Sequence, residues 1–266
     1  MNRYLLECCV DSVESAIAAE RGGADRLELC ANLIIGGTTP SPALYRAVRA
    51  NTHIPVHVLL RPRFGDFLYT PAELNILKEE ASYFAKEGAN GLVIGCLTPD
   101  GRLDKKAMQE IISLAPGCHI TLHRAFDVCR DCFEALKDAK ELGVGTILTS
   151  GRKNSCLDGL PLIRELIPAA APVHILVGGG VNASVIREFL SRTGAAHFHM
   201  SGKKELESGM IYRNPDVNMG LRGISEYTIW RTDEETVRQA KAVFPAEYEN
   251  VIMSIPFNPE NIAQNI

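Results

Sequence analysis

Short apolar runs alternate along the chain with longer stretches whose apolar positions recur at helical spacing. Strands are expected at Tyr4–Cys9, Arg26–Cys30, Val56–Arg61, Gly91–Cys96, His119–Arg124, Thr146–Thr149, Val173–Val177 and Ala196–Met200. A helical stretch follows each one: Val13–Arg21, Pro42–Ala50, Ala72–Glu87, Leu103–Leu114, Cys132–Leu142, Leu157–Ile167, Ala183–Ser191 and Asp233–Val243. The ends carry the usual signals. Gly22-Gly23 stops the first helix, Ser41 caps the second with Pro42 at its first position, and Asn182 caps the seventh. The sixth is expected to end before Pro168.

Strand and helix alternating eight times matches the length and rhythm of a TIM-type (β/α)8 barrel. The turns Gly22-Gly23-Ala24-Asp25, Glu87-Gly88-Ala89-Asn90 and Glu141-Leu142-Gly143-Val144 recur just before strands, which supports one periodic architecture. A doubly wound sheet would want an early nucleotide-binding glycine motif, and none is found. The expected organisation is a single-domain barrel over residues 1–244, with residues 245–266 as a C-terminal tail.

Composition narrows the function. Of 266 residues, 46% are hydrophobic and 23% charged, as in a soluble globular protein. The net charge of −4 with interspersed signs argues against a nucleic-acid partner. No apolar run reaches the roughly 18 residues of a membrane helix, and Glu7 breaks the N-terminal run, so no secretory signal is read. A cytoplasmic location with reduced thiols is therefore expected for the eight cysteines.

In such a barrel the chemistry lies where strands end. Side chains two apart on a strand share a face, so Glu7 pairs with Cys9 and Glu28 with Cys30. If both pairs look the same way, two carboxylates and two thiols converge. Arg61 is an available partner for either carboxylate. His123 and Asp127 follow strand five, and His199 and Ser201 close strand eight. Glu7, Glu28, Arg61, His123, Asp127 and His199 form the candidate catalytic set. Gly178, Gly179 and Gly180, with Ser201 and Arg61, form a candidate anion site of the barrel type. The triple glycine is equally readable as a tight turn. His53, His57, His119, His174 and His197 are set aside because they start strands or lie in turns. Amino ends and strand middles are read as mostly apolar, and strand ends as free of lysine. Cys129-Arg130-Asp131-Cys132 is a Cys-x-x-Cys without a second pair to make a zinc clamp.

Several motifs together resemble the CutC family. They are Cys9-Val10-Asp11-Ser12-Val13-Glu14-Ser15-Ala16, Gly23-Ala24-Asp25-Arg26-Leu27-Glu28-Leu29-Cys30, Gly36-Gly37-Thr38-Thr39-Pro40-Ser41 and Arg61-Pro62-Arg63. Gly65-Asp66-Phe67, His123-Arg124-Ala125-Phe126-Asp127, Leu148-Thr149-Ser150-Gly151, Gly178-Gly179-Gly180 and Arg213-Asn214 complete the set. The resemblance implies a TIM-barrel fold, a cytoplasmic homo-oligomer (homodimer or homotetramer) and a role in copper homeostasis. It also implies Cu(I) bound at the positions of Cys9 and Cys30. Ile35 and Phe64 depart from the family pattern, which commonly has Glu and Gly there.

Two functions are thus expected to compete. One is Cu(I) binding by Cys9 and Cys30, with His123 or Met200 as further donors. The other is an isomerase, lyase or hydrolase acting on a small anionic or phosphorylated metabolite. A barrel acting only through its oligomer surface ranks last, because the polar strand ends would then serve nothing.

Overall fold

A computed structural model describes residues 4–220 and 223–245. Eight parallel strands close into a barrel in chain order: β1 (Leu5–Val10), β2 (Arg26–Leu29), β3 (Val56–Leu59), β4 (Gly91–Ile94), β5 (His119–Leu122), β6 (Thr146–Thr149), β7 (His174–Val177) and β8 (His197–Met200), with β8 paired back to β1. Helices α1 (Val13–Arg21), α2 (Pro42–Asn51), α3 (Pro71–Lys86) and α4 (Lys105–Ser113) follow the first four strands. The short α5 (Ala125–Val128) and α6 (Cys132–Glu141) follow β5, and α7 (Leu160–Ala170) and α8 (Ala183–Arg192) cover β6 and β7. A two-stranded antiparallel ribbon, β9 (Lys203–Glu207) with β10 (Thr228–Thr232), stands outside the barrel and leads into α9 (Glu234–Lys241). The expected tail beyond residue 245 lies outside the described residues.

Capping explains where helices begin. The Ser12, Ser41, Asp131, Asn182 and Asp233 side chains each accept a first-turn amide, and Thr70 with Glu73 forms a reciprocal capping box at α3. The sixth long helix departs from expectation. Residues 157–159 form a turn, and α7 runs past Pro168 to Ala170. Pro168 lies in the last turn of α7, where it donates no N–H back to the Arg164 carbonyl.

Alternation sorts the strand residues onto two sides. Leu6, Cys8, Val10, Leu27, Leu29, Val58, Leu92, Ile94, Ile120, Leu122, Ile147, Ile175, Val177 and Phe198 face outward into the layer shared with the helices. Full burial of such side chains is worth about 1.5–3 kcal/mol each, and this layer drives folding. The inside is different. Its apolar part includes a small cluster of Cys30, Leu59 and Val93, and Leu148 and Leu176 are buried there too. Glu7, Arg26, Glu28, His57, Thr121 and His123 are buried on the same side. A TIM barrel usually fills its interior with branched aliphatics. Here the amino ends contribute charge and imidazole inside the wall, which corrects the expectation that they are mostly apolar.

Helix α9 locks the first strands. Asp25 accepts the Leu6 N–H at 2.7 Å, and Lys241 donates to the same carboxylate at 2.6 and 2.7 Å. Val237 packs so tightly on Gly22 that a Cβ there would lie 2.6 Å from the valine Cβ.

Candidate active site

Strand register builds the floor of the site. Glu7 is opposite Arg26 on one neighbour and His199 on the other, and Cys9 is opposite Glu28. Fully buried Glu7 accepts from Arg26 Nε at 2.5 Å and meets His199 Nδ1 at 2.7 Å. Arg26, not Arg61, is thus the partner of this carboxylate. Burial pushes the Glu7 pKa up, but the Arg26 charge and the His199 contact outweigh it and hold the carboxyl well below its ordinary range. Burial alone would lower the His199 pKa. Its neighbours Cys9, Glu28 and Glu7 outweigh this and push it well above the ordinary imidazole value.

Glu28 completes the floor. Glu7, Glu28 and His199 bring one donor atom each within 4.8 Å of one another. Burial pushes the Glu28 carboxyl up to about 7, with Glu7 adding to the effect while His199 and Arg26 oppose it. Its Oε2 is buried and has no partner among the described residues. Glu28 therefore exchanges a proton near neutrality at the bottom of an open space.

That space is a cavity of about 300 Å³ at the carboxyl ends of the strands. Glu28, Cys9 and His199 lie at its base, Leu33, Leu59, Phe67 and Leu148 form apolar walls, and Gly179, Gly180 and Ser201 line one side. Arg61 enters from the other side. Its guanidinium donates to the carbonyls of Gly36 (3.3 Å), Gly37 (3.0 Å) and Gly65 (2.8 Å), and lies 5.1 Å from the Phe67 ring. Among the described residues it forms no ion pair, and its buried Nε has no partner. Phe64, a departure from the family pattern, lies exposed 6.0 Å from the same guanidinium. His123 lines the cavity too. Its Nδ1 accepts from the Ala125 amide at 3.1 Å, so Nε2 carries the proton and has no partner among the described residues. Burial pulls the His123 pKa down to about 3, leaving a neutral donor.

The remaining candidates separate. Cys9 is on the cavity wall and its thiol donates to the Met200 carbonyl at 3.6 Å. Cys30 is sealed beside Leu59 and Val93 and donates to the Val10 carbonyl at 3.6 Å. Burial pushes its thiol pKa well up, and Cys9 and Glu28 add to that. Asp127 does not line the cavity. It accepts from Thr149 Oγ1 (2.5 Å), the Ser150 amide (3.0 Å) and Arg124 Nε (2.7 Å), and so fixes the loop after β6. Gly178 lies behind the cavity-lining glycines, its amide bonded to the Thr149 carbonyl. Cys129 and Cys132 are buried in the outer core, and the Cys129 thiol donates to the Phe126 carbonyl at 2.9 Å.

Sequence reasoning missed Arg26, Phe67 and Lys203. Arg26 is two residues before Glu28, so the same alternation that pairs Glu28 with Cys30 also places it. Lys203, just past β8, lines the cavity with its ammonium 4.5 Å from the Trp230 ring, so the rim does hold a lysine.

The CutC family model matches residues 4–204. The chain belongs to the CutC family. Proteins named copper homeostasis protein cutC homolog from Mus musculus and Homo sapiens are each 43% identical over 244 residues, covering 91% of this chain and 90% and 89% of those proteins. A crystal structure of the putative copper homeostasis protein CutC from Streptococcus agalactiae superposes with a TM-score of 0.70 at 29% identity, covering 74% of this chain and 98% of that one. Thiamine phosphate pyrophosphorylase from Pyrococcus furiosus shares the fold alone, with a TM-score of 0.53 at 16% identity over 91% of this chain and 96% of that one.

Proposed function

We propose that the strand-end pocket of this CutC protein transfers protons on a small anionic metabolite. The observation that carries the reading is Glu28: a buried carboxyl pushed up to about 7, set across a cavity from Arg61, with neither its Oε2 nor the arginine finding a partner charge or donor of its own among the described residues. Arg61 and the backbone at Gly179 and Gly180 would hold the anionic group. His123 Nε2–H would donate to a neutral oxygen, and Glu28 would take or return the proton. Glu7 orients and charges His199, which faces Glu28. A thermal-shift screen of small carboxylates and phosphorylated compounds tests this. The wild type should be stabilised by at least one anion, Arg61→Ala should lose that stabilisation, and Glu28→Gln should retain binding but lose turnover. Absence of any stabilising anion, or equal binding by Arg61→Ala, would overturn it.

Cu(I) capture is the second reading, favoured by Cys9 on the cavity wall, close enough to Cys30 to add to the rise in the Cys30 pKa that burial causes. Two soft sulfurs suit Cu(I). Both thiols now hold protons on carbonyl oxygens, so binding would release them. The copper homeostasis named in its relatives would then reside in this pair. Loss of Cu(I) stoichiometry in Cys9→Ser/Cys30→Ser tests it. All eight cysteines are free, which supports a cytoplasmic setting. Exposed Met210, Ile211 and Tyr212 support a homodimer or homotetramer, to be measured by sedimentation.

A further inference from the structure

The pocket carries two cations without carboxylate partners, and the proton transfer proposed above uses only one. Arg61, Arg124 and Lys203 all line the cavity. Arg124 is paired with Asp127. Lys204 is paired with Asp233, but its neighbour Lys203 forms no ion pair among the described residues and rests its ammonium 4.5 Å from the Trp230 ring. Arg61 and Lys203 stand on different sides of the barrel mouth. Arg61 follows β3, whereas Lys203 opens the ribbon after β8. Beside Lys203 comes the loop after β7, because β7 and β8 are paired. β3 and β7 are four places apart in the closed ring of eight strands, so the wall made by Gly179, Gly180 and Val181 stands opposite Arg61. Gly179 and Gly180 take φ values of +95° and +87°, and a Cβ on Gly180 would meet nothing within 4 Å. Asn182 Oδ1 accepts the first α8 amides, those of Ser184 and Val185. The Gly180 and Val181 amides donate to no acceptor among the described residues. Successive free amides make a cradle for an anion, and Lys203 adds positive charge to it.

We propose that the pocket takes a small acid with an anionic group at each end, a phosphate at Gly180, Val181 and Lys203 and a carboxylate at Arg61. This inference rests on the proton-transfer reading and names its substrate class. The chemistry of the two ends sets the direction. The planar Arg61 guanidinium, fixed by three backbone carbonyls, suits a carboxylate. Backbone amides beside a lysine suit a phosphate. Between the ends the lining is apolar, with Leu59, Phe67 and Leu148, as a short carbon chain requires. The flanks carry buried polar atoms without partners among the described residues, Glu28 Oε2 on β2 and His123 Nε2 just after β5. In the ring, β2 and β5 fall on opposite sides of a line from β3 to β7. A ligand stretched along that line therefore passes its middle carbons between the carboxyl that exchanges a proton and the N–H that donates. The cavity of about 300 Å³ holds roughly ten non-hydrogen atoms at about 30 Å³ each, the share of a water in the liquid. An acid of about three carbons bearing one phosphate has that size.

Calorimetry on the full chain at neutral pH tests this with three probes of one skeleton. They are 3-phosphoglycerate, glycerate, which lacks the phosphate, and glycerol 3-phosphate, which lacks the carboxylate. 3-Phosphoglycerate should bind at least roughly tenfold more tightly than either, the least that a hydrogen bond to a charged group contributes. Lys203→Met, at an exposed side chain, keeps an apolar stem on Trp230 and removes the charge. It should cut the advantage of 3-phosphoglycerate over glycerate by roughly threefold, as an exposed ion pair does, and leave its advantage over glycerol 3-phosphate intact. Arg61→Ala should do the reverse, and Lys203→Met decides alone if that variant fails to fold. The two-ended ligand is overturned if 3-phosphoglycerate binds no more tightly than the better of the other two, or if Lys203→Met weakens glycerate as much as glycerol 3-phosphate. It is also overturned if none of the three binds while a compound with one anionic group stabilises the wild type but not Arg61→Ala, and then the proton-transfer reading stands. If no anion of any kind binds, both fall.

Discussion

Replacing Glu7 with glutamine tests the electrostatics that hold the pocket floor. Glutamine keeps the shape but removes the charge that Arg26 meets at 2.5 Å. Arg26 is only 7% exposed, so it would remain as an uncompensated buried cation. Removing one partner of a buried pair costs about 3–5 kcal/mol. At roughly 2–4 °C per kcal/mol for a chain of this size, Tm should fall by roughly 6–20 °C at pH 7. The pH dependence has a definite sign. The folded Glu7 carboxyl is held below its ordinary value of 4.5, so its stabilisation is complete above that value and is lost as acid titrates the folded group. The gap between wild type and Glu7→Gln should therefore be flat from neutrality down to about pH 5 and shrink below it. Guanidinium unfolding from pH 3 to 8 measures this. Adding Arg26→Met should recover part of the loss by removing the stranded cation. Equal stability at pH 7, or a gap that widens in acid, would refute the reasoning.

Glu28→Gln should do the opposite. The folded carboxyl holds its proton up to about pH 7, so wild-type stability falls as pH rises from 4.5 through 7, and the variant should be the more stable by ~1–3 kcal/mol at pH 8 with little difference at pH 4, read by the same unfolding curves. Gly91→Ala should destabilise by ~1–3 kcal/mol, because its Cβ would press on the His57 ring and the His119 carbonyl, both at 2.7 Å; a Tm equal to wild type would show that the rings move freely. Thiol titration of the native protein with an aromatic disulfide at neutral pH should modify Cys9, on the cavity wall, well before Cys30, which is sealed and holds its proton; the reverse order, followed by mass spectrometry, would contradict the placement.

The repeating rhythm of apolar runs and capped helices makes the barrel readable from the sequence, because each local signal agrees with the global fold. Period-two alternation also carries Glu7 with Cys9 and Glu28 with Cys30. It carries Arg26 equally well, but attention to strand ends alone passes over it. The polar interior is harder to see. An interior His57 sits between outward Val56 and Val58, so the strand reads as apolar overall. Phe67 reaches the pocket from a loop, whose path no periodicity specifies, and Lys203 reaches it from the first position of the ribbon. The ribbon strand Lys203–Glu207 is exposed at every position and offers no hydrophobic pattern at all.

The grip of Lys241 on Asp25, with Val237 seated against Gly22, joins positions more than two hundred residues apart. A ribosome therefore delivers all eight barrel strands before the first two gain this support. Until β8 emerges and pairs with β1, the wall has two open edges. The nascent protein would need shelter at those edges during synthesis, and chains cut short before β8 should be the ones that aggregate.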